Sequence, residues 1–124
     1  MADRKQLVRE FLEILHSGDA DGALARATQE PKLFIFNNEV PDGFRMLAGI
    51  IPSMFDKPPT REYTAQYEDG NTVISRITIR GTTKRGEDYQ NYYLFITEFE
   101  GDKVASMTEY MDSAYANQKF APPN

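Results

Sequence analysis

The stretch YQNYYLFITEFEGDKVASMTEYM, residues 89–111, consists of two runs of alternating side chains on either side of a Gly-Asp pair. Alternation with a period of two is typical of β-strands that bury one face, and a Gly-Asp pair between two such runs is a hairpin signal. Within the second run, Met107, Glu109 and Met111 share one face. The stretch therefore predicts a hairpin that turns a carboxylate toward a methionine-lined surface.

Two further strands are predicted before this hairpin. Residues 63–67 and 73–80 also alternate, and the segments Asp-Gly-Asn at 69–71 and Lys-Arg-Gly-Glu at 84–87 provide the turns that follow them. The sequence thus predicts four consecutive antiparallel strands. Counted along alternate positions, the inward face would carry Tyr63, Tyr67, Ile77, Ile79, Tyr89, Asn91, Tyr93, Phe95, Thr97, Met107, Glu109 and Met111.

The N-terminal half of the chain predicts helices. Apolar residues recur at helical spacing up to His16, and Asp3 followed by Gln6 resembles a capping box. Asp19 can cap a second short helix that extends through Ala27. The remaining elements predicted here are a short strand at 33–36, a loop at 37–43, and a third helix at 44–55 whose second half conflicts with Pro52.

This order of elements predicts one α+β domain, a cone-shaped curved antiparallel sheet packed against about three N-terminal helices in a cystatin-like roll. We assign the domain to residues 1–118 and a loose tail to residues 119–124, which contain Pro122 and Pro123. The inward face of such a cone, closed by aromatic side chains, would form an apolar pocket with a few polar groups. That is the usual composition of a small-molecule site.

Composition narrows the class of protein. In 124 residues, 40% hydrophobic against 27% charged side chains predict a single folded domain and not a disordered chain. The net charge of −5 and the scattered Lys and Arg residues argue against nucleic-acid binding. With no cysteine and one histidine, we expect neither a metal site nor a cofactor. The sequence has no long apolar run, so we expect no membrane span and a cytoplasmic protein.

Two segments, VREFLEILHSGDADG at residues 8–22 and FEGDKVASMTEYMD at residues 99–112, resemble the nuclear transport factor 2-like superfamily. That superfamily includes steroid isomerases, SnoaL-like polyketide cyclases, limonene epoxide hydrolase and scytalone dehydratase. The resemblance covers nearly the whole chain and implies the cone-shaped fold with a pocket for a small hydrophobic molecule. Because one scaffold hosts many activities, the reaction has to be inferred from the site.

Two reactions of the superfamily are disfavoured by the residues present. Steroid isomerases place a tyrosine in the first helix, an aspartate near the end of the first strand and an aspartic acid on the penultimate strand. The matching positions here hold Phe11, Phe36 and Phe95, and a slip of one residue on the first strand would replace Phe36 by Asn37, which cannot act as a carboxylate base either. The epoxide hydrolases use an Arg-x-Asp pair on a middle strand, which neither Arg76-Ile-Thr78 nor Arg80-Gly-Thr82 supplies. SnoaL-like cyclases are therefore the group that this chain resembles best.

The resemblance to the cyclases implies an acid/base carboxylate near the end of the last strand, where Glu109 and Asp112 stand. A carboxylate in an apolar wall has a raised pKa, which suits proton transfer near neutral pH. We predict Glu109 as the catalytic base, with Asp112 and the lone His16 as further catalytic candidates. Alternatively, Glu109 pairs with an arginine or faces solvent, Asp112 caps a turn, and His16 caps the first helix.

Substrate binding is predicted for side chains expected inside the cone. Tyr63, Tyr93 or Asn91 could donate a hydrogen bond to a developing enolate oxygen. The aromatic side chains could equally be ordinary core packing. The full predicted set is Tyr63, Asn91, Tyr93, Phe11, Phe36, Phe55, Phe95 and Met107.

Two functions are compatible with these patterns. The first is a cofactor-independent enzyme that moves a proton on a hydrophobic carbonyl compound, as an isomerase, cyclase or dehydratase. The second is a non-catalytic ligand-binding or dimerisation module. In both, the outward-facing side chains Tyr92, Leu94, Ile96 and Tyr110 predict a homodimer, because exposed apolar side chains on a sheet usually mark an interface. A polar, water-reachable Glu109 at the bottom of a closed cavity would favour the enzyme, whereas a cavity filled by Tyr63, Tyr93 and Met107 would favour the module.

Overall fold

The computed structural model describes residues 3–121, which form four helices and six strands. The first helix is capped by Asp3, whose side chain accepts a hydrogen bond from Lys5 N, and it ends at His16 as predicted. In chain order the elements are α1 (Arg4–His16), α2 (Ala20–Leu24), β1 (Ala27–Ile35), β2 (Asn38–Val40), α3 (Gly43–Met54), β3 (Thr60–Asp69), β4 (Thr72–Thr82), β5 (Asp88–Glu100), β6 (Lys103–Met111) and α4 (Ser113–Phe120).

The six strands form one curved sheet in the order β2-β1-β6-β5-β4-β3. The predicted meander of four antiparallel strands is confirmed, with Gly70 and Gly101 in the left-handed region at its two tight turns. The prediction of a purely antiparallel sheet is wrong, because β1 runs parallel to β6. Strand direction depends on where the chain enters the sheet, which the side-chain pattern does not encode. The α+β class is confirmed.

The helices cover one face of the sheet and fill its curvature. Along α1, the side chains of Val8, Phe11, Leu12 and Leu15 are fully buried. The ring of Phe11 meets Phe44 of α3 edge to face, with 5.2 Å between ring centroids. These apolar residues, which recur at helical spacing, therefore form part of the core of the domain, as the sequence indicated. None of α1 to α4, the helices that the described residues form, combines the length and the apolar character that a membrane span requires.

Several predicted boundaries are wrong in the segment between α2 and β3. The first strand begins at Ala27 and not at residue 33, and the predicted loop contains the short strand β2. A break in the β1–β6 register between Ala27 and Lys32 accommodates Pro31, which has no N–H to donate to a ladder. The third helix continues past Pro52 to Met54, because a proline in the last turn removes only one helical hydrogen bond.

The helix α4 was not predicted. Asp112 caps it, and Lys119 and Phe120 belong to it, so the assignment of these two residues to a loose tail is wrong. The packing of Phe120 on the ring of Tyr89, at 4.8 Å between centroids, provides an apolar contact that the short amphipathic pattern did not reveal. The remaining tail residues, 122–124, lie outside the described part of the chain.

A β-bulge changes which side chains of β3 face inward. The register between β3 and β4 shifts between Tyr63 and Ala65, so alternation counted from Tyr63 fails further along the strand. Tyr67 is consequently 63% exposed, and its predicted inward position is wrong. Gln66 faces inward instead and donates to Ser75 Oγ at 3.0 Å.

The start of α3 requires a glycine. An ideal Cβ at Gly43 would lie 2.6 Å from Leu33 Cβ, whereas one at Gly49 on the exposed face of the same helix meets nothing within 4 Å. We expect Gly43→Ala to lower the free energy of unfolding by about 1–3 kcal/mol through overpacking. The control Gly49→Ala should raise it by about 0.5–1 kcal/mol through helix propensity. Urea unfolding measures both, and equal effects of the two substitutions would contradict this packing.

Candidate active site

Glu109 occupies the middle of the sheet. It lies on β6, opposite Phe95 of β5 on one side and Ile35 of β1 on the other, and is 7% exposed. Among residues 3–121, no hydrogen bond or salt bridge reaches its carboxylate. Within residues 3–121, Glu109 thus neither pairs with an arginine nor faces solvent, which were the two alternatives to a catalytic role.

Burial changes the acidity of this carboxyl group. Removal from water disfavours the charged form and raises the pKa of Glu109 from 4.5 to about 7. Within residues 3–121, no salt bridge to a cation offsets this desolvation. At neutral pH the group therefore exists in both protonation states, which allows it to accept a proton and to return one.

A small cavity of about 60 Å³ adjoins Glu109. Its walls come from α1, α3, the segment before β3, and the strands β4, β5 and β6. Of the residues predicted for the site, it brings together Glu109, His16, Tyr93 and Phe55. The complete lining is His16, Leu47, Ile51, Met54, Phe55, Pro59, Ile79, Tyr93 and Glu109.

His16 is neutral in this cavity. Burial, with a contribution from the Arg61 guanidinium, lowers its pKa to about 3. Near neutral pH the His16 imidazole therefore carries no positive charge that could interact with the dipole at the end of α1. Arg61 Nη1 lies 3.3 Å from His16 Nδ1, and because a guanidinium can only donate, Nδ1 accepts this hydrogen bond. The proton of the neutral imidazole is then on Nε2.

Tyr93 ends a chain of hydrogen bonds. Asn91 Nδ2 donates to Tyr89 Oη at 2.9 Å, and Tyr89 Oη lies 2.6 Å from Tyr93 Oη. Either hydroxyl can be the donor in the bond between Tyr89 and Tyr93, and when Tyr89 donates, the Tyr93 proton is available to a molecule in the cavity. Burial raises the pKa of Tyr93 and of Tyr89, so both phenols stay protonated and remain donors.

Asn91 and Asp112 serve this chain from outside the cavity. Asn91 is buried and also donates to the Asp112 carbonyl oxygen at 3.0 Å, which fixes its amide. The Asp112 side chain is exposed and accepts from Tyr115 N at 3.0 Å. The contacts of Asp112 are thus those of the capping role that the sequence allowed, and its carboxylate does not line the cavity.

The other predicted binding residues are not in the cavity lining. Phe11, Phe95 and Met107 are fully buried in the core. Phe36 has a left-handed backbone with φ 56° and packs its ring against Tyr110 on the outer face of the sheet. The Arg9 guanidinium lies over the ring of Tyr63, with Arg9 Cζ 4.3 Å from the centroid of that ring. Core packing is therefore the role that Phe11, Phe95 and Met107 show.

The predicted site omitted the wall formed by α3. Leu47, Ile51 and Met54 line the cavity from this helix. Their spacing of four and three residues places them on one helical face, and this pattern was available in the sequence. Pro59 could not have been found in this way, because it lies in an irregular segment before β3.

A larger groove on the surface does not contain Glu109. It has a volume of about 460 Å³ and lies between α3, α4 and the turn before β5. Within residues 3–121, His, Asp and Glu side chains do not converge in any group of three that could hold a metal ion.

The raised pKa of Glu109 predicts a specific pH dependence of stability. The folded state favours the protonated acid, so the wild type loses stability as pH rises from 4.5 to about 7. Glu109→Gln cannot ionise. Its free energy of unfolding relative to wild type should therefore increase by up to about 3 kcal/mol between pH 4.5 and about pH 8, measured by urea unfolding. The control is Glu68→Gln on the exposed part of β3. A pH-independent difference for Glu109→Gln would contradict the burial of this acid.

Comparisons with known proteins identify the fold. No family model and no curated protein matches the sequence. Among solved structures, an NTF2-like protein of unknown function from Burkholderia pseudomallei is 16% identical and aligns over 98% of this chain and 100% of its own, with a TM-score of 0.77. AclR of Streptomyces galilaeus, described as a candidate hydroxylase, is 19% identical over 99% of both chains, with a TM-score of 0.79.

A candidate SnoaL-like polyketide cyclase from Shewanella putrefaciens is 12% identical, with 98% of this chain and 87% of its own covered and a TM-score of 0.76. Identities this low carry information on the fold and not on the reaction. The fold that the resemblance implied is confirmed: the chain has the nuclear transport factor 2-like fold.

Proposed function

We propose that this protein is a cofactor-independent acid/base enzyme that moves a proton on a carbonyl compound, with Glu109 as the base. The observation that carries the proposal is a buried carboxylate without a charged partner, whose pKa of about 7 matches physiological pH, in the wall of a cavity. A group with these properties is suited to general base catalysis.

The proposed reaction begins with removal of a proton next to the carbonyl group. The Glu109 carboxylate takes this proton and becomes a carboxylic acid, the electron pair of the C–H bond forms a carbon–carbon double bond, and the π pair of the carbonyl group moves to its oxygen, which gives an enolate. Tyr93 donates a hydrogen bond to that oxygen and stabilises its charge in a site of low dielectric constant. If the substrate also has a β,γ-double bond, the enolate is a dienolate, and return of the proton from Glu109 to its γ-carbon moves the double bond into conjugation and gives an isomer.

The same enolate is compatible with two other outcomes. Its attack on a second carbonyl of the molecule would close a ring, and loss of a β-hydroxyl would be a dehydration. His16 contributes a neutral Nε2–H to the cavity wall as a further donor in these reactions. Steroid isomerisation stays disfavoured, because Phe11 and Phe95 replace the tyrosine and aspartic acid of that pattern.

Hydrogen exchange tests the base without knowledge of the natural substrate. In D₂O, the enzyme should exchange the α-hydrogens of cyclopentanone, with a rate that rises with pH and levels off above about 7, since only the carboxylate form of Glu109 accepts a proton. Glu109→Gln should lower the enzymatic rate by about a hundredfold or more. Proton NMR measures the exchange.

The control for exchange is the exposed variant Glu68→Gln, which should keep the wild-type rate. Exchange that is unchanged in Glu109→Gln would remove this residue from the mechanism. Saturable ketone binding without any exchange above the buffer rate would instead support the second candidate function, a ligand-binding module, because the same cavity would then hold a ligand without reaction.

We propose further that the protein forms a homodimer through the outer face of the sheet. On this face Tyr92 is 63%, Tyr110 40% and Leu94 36% exposed, whereas Ile96 is half-buried. Exposed apolar side chains that adjoin on one sheet favour association because they leave water together.

Sedimentation velocity tests the dimer. Tyr92→Glu places a charge in the proposed interface and should convert the dimer into a monomer. Met46→Glu makes a similar change on α3, where Met46 is 38% exposed, and should leave the dimer intact. A monomeric wild type at micromolar concentration would refute the interface.

A further inference from the structure

A second depression adjoins the cavity that holds Glu109. It has a volume of about 190 Å³ and shares His16, Ile51 and Phe55 with the inner cavity. Because the same three side chains line both volumes, they form the partition between an outer vestibule and the inner cavity. Glu109 lines the inner cavity on the other side of this partition from the vestibule.

The two volumes limit the size of the substrate. The inner cavity of about 60 Å³ and the vestibule of about 190 Å³ together stay below the roughly 300–1,000 Å³ of pockets for drug-sized ligands. A water molecule in the liquid occupies about 30 Å³, so the combined space suits a compound of about ten or fewer non-hydrogen atoms. Its reacting end has to be small enough for the inner cavity.

The vestibule is cationic although the chain as a whole carries a net charge of −5. Lys57 and Lys84 line it, and within residues 3–121 neither forms a salt bridge. Asp56 also lines it and offsets one of the two charges.

We propose that the substrate is a small carbonyl acid whose carboxylate binds Lys57 and Lys84 in the vestibule while its carbonyl end enters the cavity beside Glu109. This inference rests on the proposed function, because Glu109 defines the reacting end. The reverse orientation is disfavoured, since a substrate carboxylate in the inner cavity would adjoin the Glu109 carboxylate, and no salt bridge within residues 3–121 brings a cation to Glu109 to offset that repulsion. The charge of the vestibule thus selects both the class of substrate and its direction.

The probes that test this inference are 4-oxopentanoate and its methyl ester. The two compounds have the same ketone on the same carbon chain, but only the first carries a negatively charged carboxylate. NMR titration of each against the full-length protein gives the two dissociation constants. We expect the acid to bind the wild type about tenfold more tightly than the ester, because two exposed ion contacts contribute about that much. The double variant Lys57→Met/Lys84→Met should bind acid and ester alike.

Lys32→Met is the matched control, because Lys32 is an exposed lysine on β1 and its loss changes the net charge without changing the vestibule. It should keep the wild-type preference for the acid. Equal binding of acid and ester by the wild type, no binding of the acid, or the same loss of preference in Lys32→Met would each overturn the inference.

The proposed function and this inference fail in different ways. In one outcome, the protein binds the acid more tightly than the ester through Lys57 and Lys84, but Glu109 catalyses no hydrogen exchange. This outcome would support the carboxylate site and refute the proposed enzymatic function. Glu109-dependent exchange of cyclopentanone together with equal binding of acid and ester would support the enzyme and overturn the carboxylate site.

Discussion

The desolvation of one carboxylate is the constraint on which the site depends. Glu109 lies on a central strand, where β5 and β1 pair with β6 on both sides and Phe36 N donates to the Glu109 carbonyl oxygen at 2.9 Å. A backbone paired in this way cannot rotate the side chain to solvent without loss of its ladder. The fold therefore keeps the acid in the cavity and raises its pKa, and the surrounding apolar helices exclude the water that would lower it.

The carboxyl group of Glu109 and the imidazole of His16 are both driven toward their neutral forms in the cavity. Burial raises the pKa of Glu109 and lowers that of His16. For His16 the stability that comes with the neutral form is present above pH 6.5 and is lost as pH falls toward about 3, which is opposite in sign to the effect of Glu109. Near neutral pH, His16 is thus an uncharged donor, and Glu109 is the group whose charge changes.

The C-terminal helix is linked to the cavity wall through Tyr89. Phe55 and Phe120 pack on this ring at 5.4 and 4.8 Å, and its hydroxyl belongs to the hydrogen-bond chain from Asn91 to Tyr93. The Asp112 carbonyl oxygen that receives a bond from Asn91 immediately precedes α4. The helix therefore helps to hold the donor that faces the proposed enolate, although none of its own residues lines the inner cavity.

The sequence by itself determined α1, the antiparallel meander and the inward direction of Glu109, because each follows from a period of apolar residues that one face of an element has to bury. It also contained the α3 face that lines the cavity. Only the tertiary structure decided the parallel pairing of β1 with β6, the bulge that exposes Tyr67, and the neutral state of His16. These features depend on contacts between distant segments and on the loss of water at buried groups, which no local pattern records.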